Sequence, residues 1–237
     1  MTGTILNIIT VLIGSALGLT IGNRLAERAR ETVVLGLGLF TAAIGIKMFF
    51  ASQNELIVLG SLIVGGLLGE WWRLEMRLNA LGGWLEARFN QGESGEEANR
   101  FIQGFVTASL VFCVGPMTIL GSIQDGLTGD YELLAIKSVL DGFAALAFTA
   151  SLGVGVMFST IVILVYQGGI SLLPAQAEAL LTDPMIAEMT ATGGILLMGL
   201  AVSSLLEIKK IRVGNFLPAL IFAPLIVAVL GWLGIGG

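Results

Sequence analysis

Histidine is absent from this chain, and cysteine occurs once, at Cys113. The first absence excludes a histidine-based catalytic triad and a mixed Cys/His zinc site. The second excludes an intramolecular disulfide. Charge is scarce too: Asp, Glu, Lys and Arg make up 12% of the residues, against about a quarter in a soluble domain. No basic surface offers itself to nucleic acid. No glycine-lysine phosphate loop is present, so ATP drive within this chain is not expected. Long polar stretches are nearly missing, and the one strongly polar linker is N-Q-G-E-S-G-E-E-A-N-R at residues 90–100.

What remains is apolar. Hydrophobic residues make up 55% of the chain, and the mean hydropathy is +0.92. An apolar run of ~18 residues or more is long enough to cross the hydrocarbon layer as a helix. Such runs occur at residues 4–22, 33–51, 56–72, 101–127, 133–149, 152–173, 186–206 and 216–234. They predict an all-α integral membrane protein of about eight transmembrane helices, one polytopic domain over residues 1–237, with the lipid bilayer as its first partner. No Lys or Arg precedes the first run and no small-residue cleavage site ends it, so it reads as a retained span.

The twelve basic residues orient the spans. Ten lie in three short polar clusters: Arg24, Arg28 and Arg30; Arg73, Arg77, Arg88 and Arg100; Lys209, Lys210 and Arg212. Lys47 lies near the end of a run, and only Lys137 lies well inside one. Lys and Arg beside spans stay cytoplasmic. That rule places the three clusters inside and both termini outside. Residues 70–89 carry Trp71, Trp72 and Trp84 among arginines, as in a helix lying in the cytoplasmic interface. With the polar linker they form a cytoplasmic element over residues 70–100. Residues 101–127 are interrupted at Gly115-Pro116 and read as a broken span or as a re-entrant hairpin. Parity of the basic clusters favours the crossing.

Glycine is abundant, at 33 residues, and much of it sits on the spans. Gly14, Gly18 and Gly22 recur every fourth residue, as do Ser61, Gly65 and Gly69. Such stripes let helix backbones approach closely, either within the chain or in a homo-oligomer. The strings G-S-A-L-G-L-T-I-G-N-R-L-A-E-R and G-G-L-L-G-E-W-W-R-L-E-M-R share a plan that residues 186–212 repeat, a hint of internal duplication of the kind transporters use.

Polar residues at membrane depth carry whatever chemistry the chain has. Asp141 falls roughly 12 Å inside its span at ~1.5 Å per residue, and Lys137 is one turn earlier on the same face. A charge at that depth costs several kcal/mol unless paired, protonated or wetted. The two read either as a self-neutralising structural pair or as a substrate or ion site. Gly115-Pro116 is the second candidate. A broken helix leaves free backbone groups, and the new helix start at Met117 and Thr118 would present N–H groups and partial positive charge. Thr118, Ser122 and Asp125 follow it. Glu188, at the start of its span, reads as a solvated acid or a third polar contributor. Asn215 before Pro218 reads as a helix cap, and Pro224 as a kink. Asn7 and Gln167 are polar and membrane-embedded, without a role assignable from sequence.

The strings G-P-M-T-I-L-G-S-I-Q-D-G, K-S-V-L-D-G, Y-Q-G and G-N-F-L-P-A-L resemble the YqgA-like family, bacterial multi-pass membrane proteins of unknown function. The resemblance covers nearly the whole chain and implies the bacterial cytoplasmic (inner) membrane. It supplies neither substrate nor functional residues. The pattern D-G-x-A-A at Asp141 is also similar, over a short stretch, to Asp-containing helices of small cation exporters.

These features predict a secondary transporter of an ion or small polar solute. It would act through the broken helix and the Lys137–Asp141 pair, without cofactor, metal or catalytic residues. The alternative is a non-transporting partner or signalling subunit, though a sensor usually brings a soluble domain that this sequence lacks. An intramembrane enzyme is least expected, because Ser138 and Lys137 are adjacent and point apart on a helix.

Topology is directly testable. Cysteines replacing Ser52 and Thr128 should react with an external impermeant thiol reagent, and one replacing Ser94 should not. Labelling of Ser94→Cys in intact cells would refute the eight-span arrangement.

Overall fold

A computed structural model of the chain describes residues 1–22, 26–89, 95–175 and 181–233. Arg24, Ser94 with the rest of residues 90–94, and residues 176–180 of the predicted outer loop lie outside the described residues. The long elements are α1 (Thr2–Gly22), α2 (Glu27–Phe49), α3 (Glu55–Trp72), α4 (Leu74–Phe89), α5 (Glu96–Cys113), α6 (Pro116–Leu127), α7 (Glu132–Leu152), α8 (Ser159–Leu172), α9 (Asp183–Leu200) and α10 (Ala219–Trp232). No strand occurs among the described residues. This is the expected all-α class, since a backbone in lipid must satisfy its own hydrogen bonds. Seven helical segments are long and apolar enough to cross, and α5 with α6 forms an eighth, bent by 62°.

Contacts divide the chain into two compact units, Met1–Leu37 with Asn79–Glu178, and Gly38–Leu78 with Ala179–Gly237.

In the first unit, α1 inverts the usual amphipathic helix. Its buried positions are Gly3, Thr4, Asn7, Val11, Gly14, Ser15, Gly18 and Gly22, while Ile5, Ile9, Leu12, Ile13, Leu17 and Ile21 are exposed. Small and polar residues face the protein, and the aliphatic ones face the lipid. The small stripe meets α7 in a constant register: Gly14 on the Gly142 carbonyl, Gly18 on that of Leu146, Gly22 on that of Ala150. Each step of four residues is matched by four, so α1 and α7 run parallel at near backbone contact. Helix α8 runs antiparallel to α1, with Thr4 beside Ser171 and Asn7 beside Gln167.

The same contacts show that the broken segment crosses. At its start, Phe101 meets Gly155 just beyond the C-terminal end of α7. At its far end, Gly121 meets Leu134 in the first turn of α7, and Gly126 meets Ser171 and Pro174. Helices α5 and α6 thus run from one end of α7 to the other. A re-entrant hairpin would return to the end where it began.

In the second unit, Gly65 and Gly69 of α3 close on Ala219 and on the carbonyl of Asn215, with α3 and α10 antiparallel. Gly45 of α2 and Gly194 of α9 pack on each other. Both predicted stripes therefore close on the chain's own backbone, and Gly14, Gly18, Gly22, Gly65 and Gly69 are not presented to a second copy. The seams also differ in direction, parallel in one unit and antiparallel in the other.

Arg73 separates α3 from α4. Its φ of 53° and ψ of 46° place it in the left-handed region, capping α3, and α4 starts at the next residue. Trp71 and Trp72 at the end of α3 and Trp84 of α4 are exposed. Two spans depart from regular helix: α9 ends in a π turn, Ala201–Leu205, and α10 is preceded by a 3₁₀ turn, Val213–Phe216. Pro218 directly precedes α10 and Pro224 lies inside it.

The α1–α7 seam makes a sharp prediction. A Cβ at Gly22 would lie 2.6 Å from the Ala150 carbonyl oxygen, and one at Gly14 or Gly18 would lie closer still to its opposing carbonyl, whereas none would meet anything within 4 Å at Gly169. Gly14→Ala or Gly18→Ala should cost ~1–3 kcal/mol or more as overpacking, and Gly169→Ala should not. Thermal unfolding in detergent measures the difference.

Candidate functional site

Lys137 and Asp141 sit one turn apart on α7, both buried. The Lys137 ammonium donates to Asp141 Oδ2. The parallel course of α1 brings Asn7 to the same atom: Asn7 Nδ2 donates to Asp141 Oδ2 at 3.0 Å and to Gln167 Oε1 of α8, also at 3.0 Å. Gln167 Nε2 donates to Thr4 Oγ1 at 3.3 Å, and the hydroxyls of Thr4 and Ser171 lie 3.4 Å apart. Asn7, Gln167 and Thr4 are fully buried. A file of six polar side chains therefore runs from the ends of α1 and α8 to Asp141, midway along α7. On the α1 face it stops there, since Val11 follows and the glycine seam closes beyond. Helices α5 and α6 both pack on α7, Phe112 against Phe148 and Gly121 against Leu134.

Burying two charges costs several kcal/mol per ion, and the pair recovers it only when the remaining lone pairs and protons are also bonded. Asn7 supplies such a bond to Asp141. Its own Oδ1 is buried without a hydrogen-bond partner in the structure.

The break has a different character from the one expected. Gly115 is extended (φ −75°, ψ 149°) and Pro116 opens α6. Proline has no N–H, so the carbonyl of Phe112 loses the donor a continuous helix would supply. Thr118 replaces it: its Oγ1 donates to Phe112 O at 3.0 Å. The Thr118 N–H turns back to Gly115 O at 3.1 Å, and the Ser122 hydroxyl donates to Thr118 O. The Thr118 hydroxyl thus serves the backbone at the proline, because an unpaired carbonyl in this dry setting costs more than the hydroxyl gains elsewhere, while the Ser122 hydroxyl makes a bond within α6.

Asp125 and Glu188 also prove to be backbone caps. Asp125 Oδ2 accepts from the Gly3 N–H at 3.2 Å and from the Met1 amino group at 2.8 Å, a carboxylate at the positive end of α1. Glu188 is 1% exposed, not solvated as expected. It accepts from Ser52 Oγ at 2.8 Å and from the N–H groups of Gln53 and Asn54 at 2.7 and 2.9 Å, and so holds the turn between α2 and α3 in the second unit. Asn215 does not cap its own helix. Its Oδ1 accepts from the Glu75 N–H at 2.7 Å, at the start of α4, and its amide donates to Glu70.

Of the eight candidate residues, the structure brings Lys137 and Asp141 together, gathers Gly115, Pro116, Thr118 and Ser122 at the break, and assigns Asp125 and Glu188 to helix-end contacts. Thr4 and Ser171 are the members sequence reasoning missed, and Asn7 and Gln167, noted there without a role, join them in the file. A signal existed: Thr4/Asn7 and Gln167/Ser171 share the one-turn spacing of Lys137/Asp141. The site offers opposite charges, amides and hydroxyls.

The repair of the break is testable by a double-mutant cycle. Thr118→Val should destabilise the protein by ~1–3 kcal/mol, the cost of an orphaned buried acceptor. Adding Pro116→Ala restores an N–H for the Phe112 carbonyl and should return most of that loss. Additive effects in thermal unfolding would contradict the coupling.

Comparison with known proteins agrees with this picture. Residues 2–228 match the family described as "Protein of unknown function (DUF554)". The chain is 30% identical to the "Uncharacterized membrane protein YdfK" of Bacillus subtilis (strain 168), covering 99% of each chain. It is 33% identical to the "Uncharacterized protein YqgA" of Escherichia coli (strain K12), covering 97% of this chain and 98% of the relative. No solved structure matches. End-to-end similarity at this level, together with the apolar spanning helices, makes the chain a multi-pass membrane protein of the DUF554 family, the YqgA-like group its sequence strings resemble.

Proposed function

We propose that this protein is a secondary transporter of an ion or small polar solute in the bacterial cytoplasmic membrane, with both termini outside. The carrying observation is Asn7, whose amide joins Asp141 of α7 to Gln167 of α8 and so links a membrane-depth charge pair to a polar file reaching the helix ends. Packing alone does not require such a file, because apolar side chains fill the same space without desolvation cost. In this reading the file is the approach from the outer face, Lys137 and Asp141 form the binding centre, and the seam of Gly14, Gly18 and Gly22 seals the route beyond. Bending at Gly115-Pro116 would open it. The protein performs no covalent chemistry and uses no cofactor. The second reading, a non-transporting partner subunit, treats the pair as structural.

Flux in proteoliposomes separates the two. Asp141→Asn and Lys137→Met should each abolish transport, and each should cost ~3–5 kcal/mol of stability by leaving its partner buried and unpaired. The double variant Lys137→Met/Asp141→Asn should recover stability and remain inactive. Recovery of both by the double variant would reduce the pair to a structural element.

A further inference from the structure

The second unit contains a cavity of about 310 Å³ whose lining is almost wholly apolar. Leu62 of α3, Met198 and Gly199 of α9, Val202 of the π turn, and Ile211 and Phe216 beyond it form its wall. Most of these residues are half-buried, so the cavity is an open-sided groove. Nothing polar there would suit an ion or solute.

The segment that closes one end of the groove carries charge. After the π turn the chain folds back on itself: Leu206 N–H bonds to Ala201 O at 2.8 Å and Ile208 N–H to Val202 O at 3.0 Å. Ser203 then clasps Ile211 in both directions, accepting from its N–H at 2.9 Å and donating to its carbonyl at 3.0 Å. This fold-back pins Lys209 and Lys210 between two groove residues, Val202 and Ile211. Both lysines are exposed and have no hydrogen-bond or ion-pair partner among the described residues. Their neighbour Arg212 is already committed to Glu70 at 2.6 Å. Within residues 201–211 the charged residues are Glu207, Lys209 and Lys210; Glu70 and Glu75, which reach the residues just beyond, are bonded to Arg212, Asn215 and the Gly214 N–H.

An apolar groove on a membrane-spanning helix, with two exposed lysines in the chain directly before its lining residue Ile211, has the chemistry of a single ligand class. We propose that this groove is a binding site for an anionic phospholipid, with an acyl chain against Leu62, Met198, Gly199 and Val202 and the phosphate at Lys209 and Lys210. The apolar part supplies burial and the lysines supply selectivity for negative headgroups. The site is separate from the polar file of the first unit and does not depend on the transport reading.

Native mass spectrometry of the purified full chain tests it, with phosphatidylglycerol and phosphatidylcholine of matched acyl chains as probes. Wild type should bind phosphatidylglycerol tighter by about tenfold or more, following from two lysines near a headgroup phosphate. Lys209→Gln/Lys210→Gln should lose that preference and keep the weaker binding. Val202→Phe, which narrows the groove, should weaken both lipids, and Leu62→Phe stands in for it if that protein does not fold. Arg77→Gln/Arg88→Gln removes two exposed charges elsewhere and should change nothing. Equal binding of the two lipids by wild type, a preference surviving loss of both lysines, or an equal loss in the arginine control would each overturn the site.

Discussion

Backbone proximity between α1 and α7 is the constraint on which the first unit depends. Lipid tails are as apolar as leucine, so helices in a bilayer gain little by hiding aliphatic surface from their solvent. What they gain is close packing and interhelical hydrogen bonds. Gly14, Gly18 and Gly22 bring two helices to carbonyl contact. That approach carries Asn7 to within hydrogen-bonding range of Asp141. A wider seam would leave the carboxylate with Lys137 alone and the amide of Gln167 without its donor. Glycine spacing on one helix and a charge on another are thus one structural fact.

Polar side chains in this protein fall into two kinds, distinguished by what they bond. Thr118, Ser122, Asp125, Glu188 and Asn215 bond backbone: an orphaned carbonyl at a proline, the first turn of α1, a tight turn, the start of α4. All but Ser122, whose bond lies within α6, make an irregular point in the chain tolerable where water is scarce. Lys137, Asp141, Asn7, Gln167, Thr4 and Ser171 bond one another instead, across three helices. A helix-end contact has one best arrangement and little reason to move.

Much of this was readable from sequence. Apolar runs located the spans, because the hydrocarbon thickness sets their length. The fourfold glycine spacing identified the packing faces. Lys137 and Asp141 were visible because charge in an apolar run is costly at any fold. Less was visible at Glu188 and Thr118. Both read as ligand candidates because their types suit ligands, and only the tertiary structure places the 52–54 turn against Glu188 and the Phe112 carbonyl against Thr118.

Sequence alone determined the class, the number of crossings within one, and the charge pair, since each follows from local composition against a fixed membrane thickness. Tertiary structure decided the rest: that residues 101–127 cross, that the glycine stripes close within the chain, and that Asn7 and Gln167 join Asp141. Those outcomes depend on which helix faces meet and in which direction, and in lipid that choice rests on backbone contacts and single hydrogen bonds between residues on different helices, which no local pattern encodes.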